Sequence, residues 1–302
     1  MGILDSFKLD GKAALVTGSG QGIGRTYALA LAEAGADVLI ADINEKTGPL
    51  VVEEIRALGR RSVFVRTDVT RPDEVQRMVD TAVAEFGGLD IAVNNAWAGG
   101  RAGSFKGTRN SAETMPMDEW DFVHNLLLKG VVICCQAEAQ AMMKRGRGKI
   151  INMASMSAHI MNANIAYCSA KAGVLGLSKR LAVEWGSYNI NVNCISPSYT
   201  LSPARRRDTQ ENRDLIRSLH PMGWHERPED LAGTLVYLAS DASNYVTGQE
   251  VIVDGGHTLN VWLAPLDRAF PPLVSAEEET RSLLRDLDLL GIAHDENGVT
   301  VE

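Results

Sequence analysis

Short apolar runs rich in β-branched residues recur along this chain with helical patterns between them, and that alternation restricts the fold more than any other feature. The first run is Ala13-Ala14-Leu15-Val16-Thr17, and the next spans residues 38–41 and ends at Asp42. Further runs lie at 63–65, 91–93, 150–151, 192–195 and 251–253. Between them the spacing predicts a helix from Thr26 to Ala34 closed by Gly35, and one opened by Pro72 with Val75, Met78, Val79, Ala82 and Val83 on one face. A long helix is expected from about Met117 to Arg145. Strands separated by helices pair in parallel, and a parallel sheet must be covered on both faces. The expectation is therefore one doubly wound α/β domain over residues 1–256, with a seven-stranded parallel sheet and helices on both faces.

Two segments fall outside this rhythm. Residues 98–116, rich in Gly, Ser, Arg and Lys, read as a loop. Residues 257–302 read as a partly helical C-terminal extension. Within it Pro271-Pro272 marks a break, Ser275 with Glu278 suits a capping box, and Leu283, Leu284, Leu287 and Leu290 form an apolar stripe. The formal net charge of −8 argues against nucleic acid or an anionic membrane as partner. Cys134, Cys135, Cys168 and Cys194 follow no zinc or disulfide spacing and read as reduced thiols. No signal peptide and no apolar run of about 18 residues is visible, so a cytoplasmic location is expected. The six histidines form no ligand-spaced cluster, so no metal is expected, and no G-x-S-x-G elbow suggests a serine hydrolase.

The first strand stops at Thr17-Gly18-Ser19-Gly20-Gln21-Gly22-Ile23-Gly24. Glycines let the backbone turn tightly and approach a ligand, and the helix start behind them offers free N–H groups to a pyrophosphate. A tight strand-to-helix turn alone also accounts for such a cluster. Asp42, 24 positions after Gly18 at the end of strand two, adds a second cue. A carboxylate there accepts hydrogen bonds from the adenosine ribose hydroxyls and repels a 2′-phosphate. With no Arg or Lys among Ser19, Gly20 and Gln21, NAD is favoured over NADP. These cues make the domain Rossmann-type.

Tyr167 and Lys171 stand at i and i+4, on one face of a helix. An ammonium beside a phenol favours the phenolate, and a phenol so tuned exchanges a proton near neutral pH. Ser155 follows strand five at the carboxyl edge of the sheet, where ligands of such folds bind. With these residues in view, the chain resembles the short-chain dehydrogenase/reductase family, in its compact single-domain branch, from about Lys8 to Gly256. The likeness rests on Thr17–Gly24, Asp68-Val69, Asn94-Asn95-Ala96, Asn152-Met153-Ala154-Ser155 and the Tyr167/Lys171 pair. It continues through Asn193-Cys194-Ile195-Ser196-Pro197, Arg227-Pro228-Glu229-Asp230, Val246-Thr247-Gly248-Gln249 and Asp254-Gly255-Gly256.

The resemblance implies an NAD(H)-dependent oxidoreductase acting between a secondary alcohol and a ketone. Tyr167 would be the general acid/base, Lys171 would hold the nicotinamide ribose and tune the phenol, and Ser155 would orient the substrate carbonyl. Asp68 and Val69 would lie against the adenine and Asn95 along the cofactor. Pro197, Thr200 and Ser202 would meet the carboxamide. Family members are usually tetramers or dimers, so a homo-oligomer is expected. His159, Asn162 and Asn164 after Ser155 suggest a polar substrate such as a sugar, polyol or sugar acid. Arg205-Arg206-Arg207, with Arg101, Lys106 and Arg109, suggests that it is anionic. A reductase of 3-oxoacyl or other hydrophobic ketones is the alternative, and a cofactor-binding homologue without turnover is another.

Three positions depart from the family pattern. Leu127 stands where the family's relay Asn is usual, and Asn125 lies about 200° round the helix from it. His124, one turn back, is the other candidate substitute. Trp97 and Ser198 each replace a usual Gly. The leucine stripe of the tail could cover a neighbouring subunit, the substrate opening, or its own domain.

Overall fold

A computed structural model describes residues 2–97, 112–202, 209–260 and 275–294. The first half alternates β1 (Ala13–Thr17), α1 (Gly22–Glu33), β2 (Asp37–Asp42), α2 (Gly48–Ala57), β3 (Ser62–Arg66), α3 (Pro72–Phe86) and β4 (Ile91–Asn94). Then come α4 (Met117–His124), α5 (Gly130–Arg145), β5 (Gly148–Met153), α6 (Ser157–Ile160), α7 (Ile165–Trp185) and β6 (Ile190–Pro197). The chain continues with α8 (Gln210–Leu219), α9 (Ala232–Ala239), β7 (Glu250–Val253) and α10 (Ala276–Leu289).

The strands form one seven-stranded sheet in the order β3-β2-β1-β4-β5-β6-β7, and every pair is parallel. Successive side chains of a strand point to opposite faces. Leu15, Leu39, Ala92, Ile150 and Val192 therefore pack against α3, α5 and α7, through residues such as Met78, Cys135 and Val174. Val16, Ile40, Val93, Ile151 and Ile195 pack on the other face against α1, α2 and α9, through Tyr27, Leu31, Ile55 and Leu235. Two buried faces explain why the strands read as continuous apolar runs. The strand order reverses between β1 and β4, and this opens a crevice at their carboxyl ends.

Three details differ from the sequence expectation. Helix α1 begins at Gly22, not Thr26, because the last residues of the glycine loop already form its first turn. Helix α2, which has Pro49 in its first turn and buries Gly48, Val51, Val52 and Ile55 at helical spacing, and the apolar α9 are absent from the sequence reading. The long helix is interrupted by a π-helical turn, Asn125–Lys129, between α4 and α5. That 29-residue run is apolar and long enough to cross a membrane, yet half of its most apolar window is buried in the fold. Leu127, Val131, Cys134, Cys135 and Met142 are among its core residues.

A polar network runs through the α5 face. Asn94 Nδ2 donates to Glu138 Oε2 (3.0 Å) and Asn152 Oδ1 (2.9 Å), and Asn152 Nδ2 donates to Ser178 Oγ (2.9 Å). It ties β4 and β5 to α5 and α7. Burial pushes the Glu138 carboxyl up to about 8.

Candidate active site

The crevice is built first from backbone. Gly18, at φ 64°, turns the chain out of β1, and a Cβ there would stand 2.7 Å from Ala96 Cα. A Cβ on Gly24 would stand 2.1 Å from Gly18 O, so the loop closes on its helix only with glycine. Asn95 Nδ2 donates to Thr17 O (3.0 Å) and Gly18 O (3.1 Å) and pins the loop to β4. No side chain caps the N-terminus of α1, so its first N–H groups face the crevice free for an anion. Asp42 Oδ2 accepts the Gly20 N–H (2.8 Å) and Oδ1 the Asn44 N–H (2.9 Å). These bonds fix the carboxylate at the rim of the loop. Such a crevice fits the two phosphates and ribose of a dinucleotide.

Helix α7 supplies the reactive pair. Its N-cap is Asn164, whose side chain accepts the Tyr167 N–H at 2.9 Å. Tyr167 and Lys171 follow one turn apart, and Lys171 Nζ lies 5.8 Å from the Tyr167 ring centroid. Lys171 is 5% exposed, and its Nζ donates to Met153 O at 2.7 Å. Burial lowers its pKa to about 8, so it stays mostly protonated at neutral pH. Ser155 Oγ accepts the Ser157 N–H (3.2 Å), which leaves its own proton for the crevice.

The opposite wall follows Pro197. Glu226 Oε2 accepts the Ser198 N–H (3.1 Å) and the Thr200 hydroxyl, and Glu226 O accepts the Leu201 N–H (2.7 Å). Burial raises the Glu226 carboxyl to about 8. His220 Nδ1 lies 2.8 Å from Ile216 O and must donate to it, so Nε2 accepts the Ser198 hydroxyl at 2.8 Å. Burial lowers His220 to about 4 and keeps it neutral, in agreement with this tautomer. Ser198 Oγ therefore offers the crevice lone pairs, not a proton.

One cleft brings together Gly18, Gln21, Gly22, Ile23, Gly24, Asn95, Ser155, Tyr167, Lys171, Pro197, Thr200 and Ser202. Met153, Ala154, Trp97 and Ser198 also line it. Four of the expected residues lie outside this lining. Ser19 is fully buried, its hydroxyl donating to Val16 O (2.8 Å), and it braces β1 against β2. Asp42 sits at the rim already described. Asp68 Oδ1 accepts the Thr70 N–H (2.9 Å) and hydroxyl (2.7 Å) in the turn before α3, and Val69 is buried.

The polar residues after Ser155 are occupied within the protein. His159 Nε2 lies 2.8 Å from Glu250 Oε1, Asn162 bonds Ser157 and Tyr199, and Asn164 is the α7 cap. Neither His124 nor Asn125 lines the cleft; His124 Nε2 faces Ser169 Oγ at 3.1 Å and its ring stacks on Trp120. Leu127 is buried against Ala166 and Ala170. Arg101, Lys106, Arg109, Arg205, Arg206, Arg207 and Pro271-Pro272 lie outside the described residues. Sequence reasoning missed Glu226 and His220, which reach Ser198 in the cleft wall from 28 and 22 residues away.

Known proteins resemble this chain over most of its length. A family model described as enoyl-(acyl carrier protein) reductase matches residues 18–258. The 2-dehydro-3-deoxy-D-gluconate 5-dehydrogenase of Escherichia coli (strain K12) is 40% identical over 267 residues, covering 87% of this chain and 99% of that protein. A gluconate 5-dehydrogenase from Burkholderia cenocepacia J2315, solved with NADP and tartrate, matches with a TM-score of 0.78 at 34% identity. The match covers 85% of this chain and 99% of that one. A 7α-hydroxysteroid dehydrogenase solved with NADH and 7-oxo glycochenodeoxycholic acid matches with a TM-score of 0.77 at 34% identity, over 85% and 98% of the two chains. With the family model spanning most of the chain, Tyr167 and Lys171 included, and a relative 40% identical over 87% of it, the chain belongs to the short-chain dehydrogenase/reductase family.

Proposed function

We propose that this protein is an NAD(H)-dependent oxidoreductase acting between a secondary alcohol and a ketone on a polar, hydroxylated substrate of the sugar-acid or polyol kind. The observation that carries it is the convergence of Ser155, Tyr167 and Lys171 on the cleft formed by the glycine loop. The nicotinamide, when bound, accepts or supplies the hydride. Tyr167 Oη exchanges a proton with the substrate oxygen, and the buried Lys171 ammonium favours the ionised phenol. Ser155 donates a hydrogen bond to that same oxygen. Gly22, Ile23 and Gly24 meet the pyrophosphate, Asn95 lies along the dinucleotide, and Pro197, Thr200 and Ser202 face its carboxamide. Asp68 and Val69 border the adenine pocket.

The choice of NAD rests on Asp42. Its carboxylate is held by two backbone N–H groups and cannot swing away from a 2′-phosphate without losing them. The substrate class rests on the 5-dehydrogenase relatives and on Ser198, whose lone pairs suit a hydroxyl or amide donor. The four cysteines are free and buried, which supports a reducing, cytoplasmic compartment. The unit that acts is residues 1–256 with helix α10 docked on it, in a homo-oligomer, a tetramer or a dimer. Absorbance at 340 nm, followed with NAD and NADP against sugar acids, polyols, aliphatic alcohols and 3-hydroxyacyl compounds, tests this. Faster NAD-linked turnover of sugar acids or polyols is expected. Turnover confined to NADP and hydroxyacyl compounds would favour the reductase alternative.

A further inference from the structure

Helix α10 lies beyond residue 258, where the family match ends, and its buried face carries acids as well as leucines. Glu279, Leu283, Asp286 and Leu287 recur at helical spacing and are 1%, 1%, 7% and 0% exposed. A buried acid on such a face is costly unless it is paired, so its partners define what the helix is for.

Leu283 and Leu287 pack on Leu201, in the cleft wall after Pro197. Glu279 Oε1 accepts the His225 N–H at 2.8 Å, and Glu279 Oε2 accepts Arg217 Nη2 at 2.7 Å. The His225 ring in turn lies 3.4 Å from Tyr199 O and 2.9 Å from Arg213 O. The next residue is Glu226, which holds Ser198, Thr200 and Leu201 as described. On the other side of the cleft, Asp286 Oδ1 lies 3.6 Å from Arg25 Nη1, on the helix that begins at the glycine loop. The extension thus touches both jaws of the cleft.

We propose that Glu279 is a positioning residue for the cofactor: acting through His225 and Glu226, it fixes the wall from Ser198 to Leu201 against the nicotinamide end of the cleft. The chain of contacts is continuous from a carboxylate on α10 to hydroxyl and N–H groups lining the cleft. The inference rests on the reading that this cleft holds a nicotinamide dinucleotide. Rigid placement of that wall is needed in the bound state, and loosening it adds an ordering cost to binding.

The test uses the full-length protein, with NADH affinity measured by calorimetry, steady-state kinetics with NAD, and thermal melting. In Glu279→Ala the NADH dissociation constant and the KM for NAD are expected to rise about tenfold, while kcat at saturation changes less than about threefold. Glu279→Gln keeps an acceptor for the His225 N–H and is expected to fold and to show a smaller rise. The exposed neighbour Glu277→Ala is expected to behave as wild type. A melting temperature that drops in Glu279→Ala with unchanged NADH affinity and KM overturns the inference and leaves a merely structural helix. If Glu279→Ala does not fold, the near-isosteric Glu279→Met, which lacks the acceptor, takes its place, and wild-type NADH affinity and KM in that protein overturn the inference. Wild-type protein that binds neither NADH nor NADPH removes the underlying reading, and this inference with it, whereas unchanged variants beside a binding wild type remove the inference alone.

Discussion

The two jaws of the cleft are built by different means. On the glycine-loop side the parts held in place are glycine backbone: Gly24 fits under Gly18 O, the Asn95 amide holds the carbonyls of Thr17 and Gly18, and Asp42 takes the Gly20 N–H. Across the cleft, the wall from Ser198 to Ser202 is held by side chains far along the chain, among them Glu226, His220 and, behind them, Glu279. Three buried ionisable groups support a few residues of wall. The comparison teaches that affinity for the constant part of a dinucleotide can be set by rigid backbone. The reacting end is set by buried polar chemistry that a chain can alter without touching the fold.

The largest effect that would sharpen this contrast is expected at Gly24. Gly24→Ala places a methyl 2.1 Å from Gly18 O and 2.5 Å from Asn95 Nδ2, and neither neighbour can retreat without breaking the loop. Overpacking of this kind costs about 1–3 kcal/mol, and NADH binding measured by calorimetry is expected to fall by about 100-fold or more. Near wild-type binding would mean that the loop is softer than its contacts indicate, and the contrast between the jaws would fail.

On the opposite wall the expected effect is smaller and appears in pH dependence. Burial is the main cause that raises the Glu226 carboxyl to about 8, above its ordinary 4.5, while the Thr200 and Ser198 hydrogen bonds oppose the rise. The folded state therefore keeps its proton where the unfolded chain has released it. This contribution to stability is complete below about pH 4.5 and is lost as pH rises to about 8, at up to about 1.4 kcal/mol per pH unit. Glu226→Gln has no proton to lose, so its melting temperature is expected to fall less than that of wild type between pH 5 and pH 8. Parallel curves for the two proteins would show that Glu226 ionises in the fold as it does in water.

What the sequence discloses follows the same division. The strands, the switch point and the Gly18–Gly24 turn are legible because periodicity and glycine act within a few residues of one another. Tyr167 and Lys171 are legible because helical spacing alone places them on one face. Glu226 and His220 are not, since nothing near them in the chain reveals partners more than twenty residues away. Asn164 misleads in an instructive way: it sits where a substrate-facing amide is expected, yet its side chain caps α7 and thereby orients Tyr167. The helix of the tail is announced by Ser275 and Glu278, whose capping box forms, but its docking on Leu201 depends on a surface that exists only once β6 and α8 are in place.

The central claim is that the Tyr167 hydroxyl, beside the buried Lys171 ammonium, moves the proton while a dinucleotide occupies the cleft. Turnover at 340 nm and NADH binding, measured together on wild type and Tyr167→Phe, test it most directly. Turnover is expected to fall about 10³-fold in the variant with NADH affinity unchanged, because only the reacting oxygen is removed. A Tyr167→Phe protein that turns over within tenfold of wild type would contradict the account.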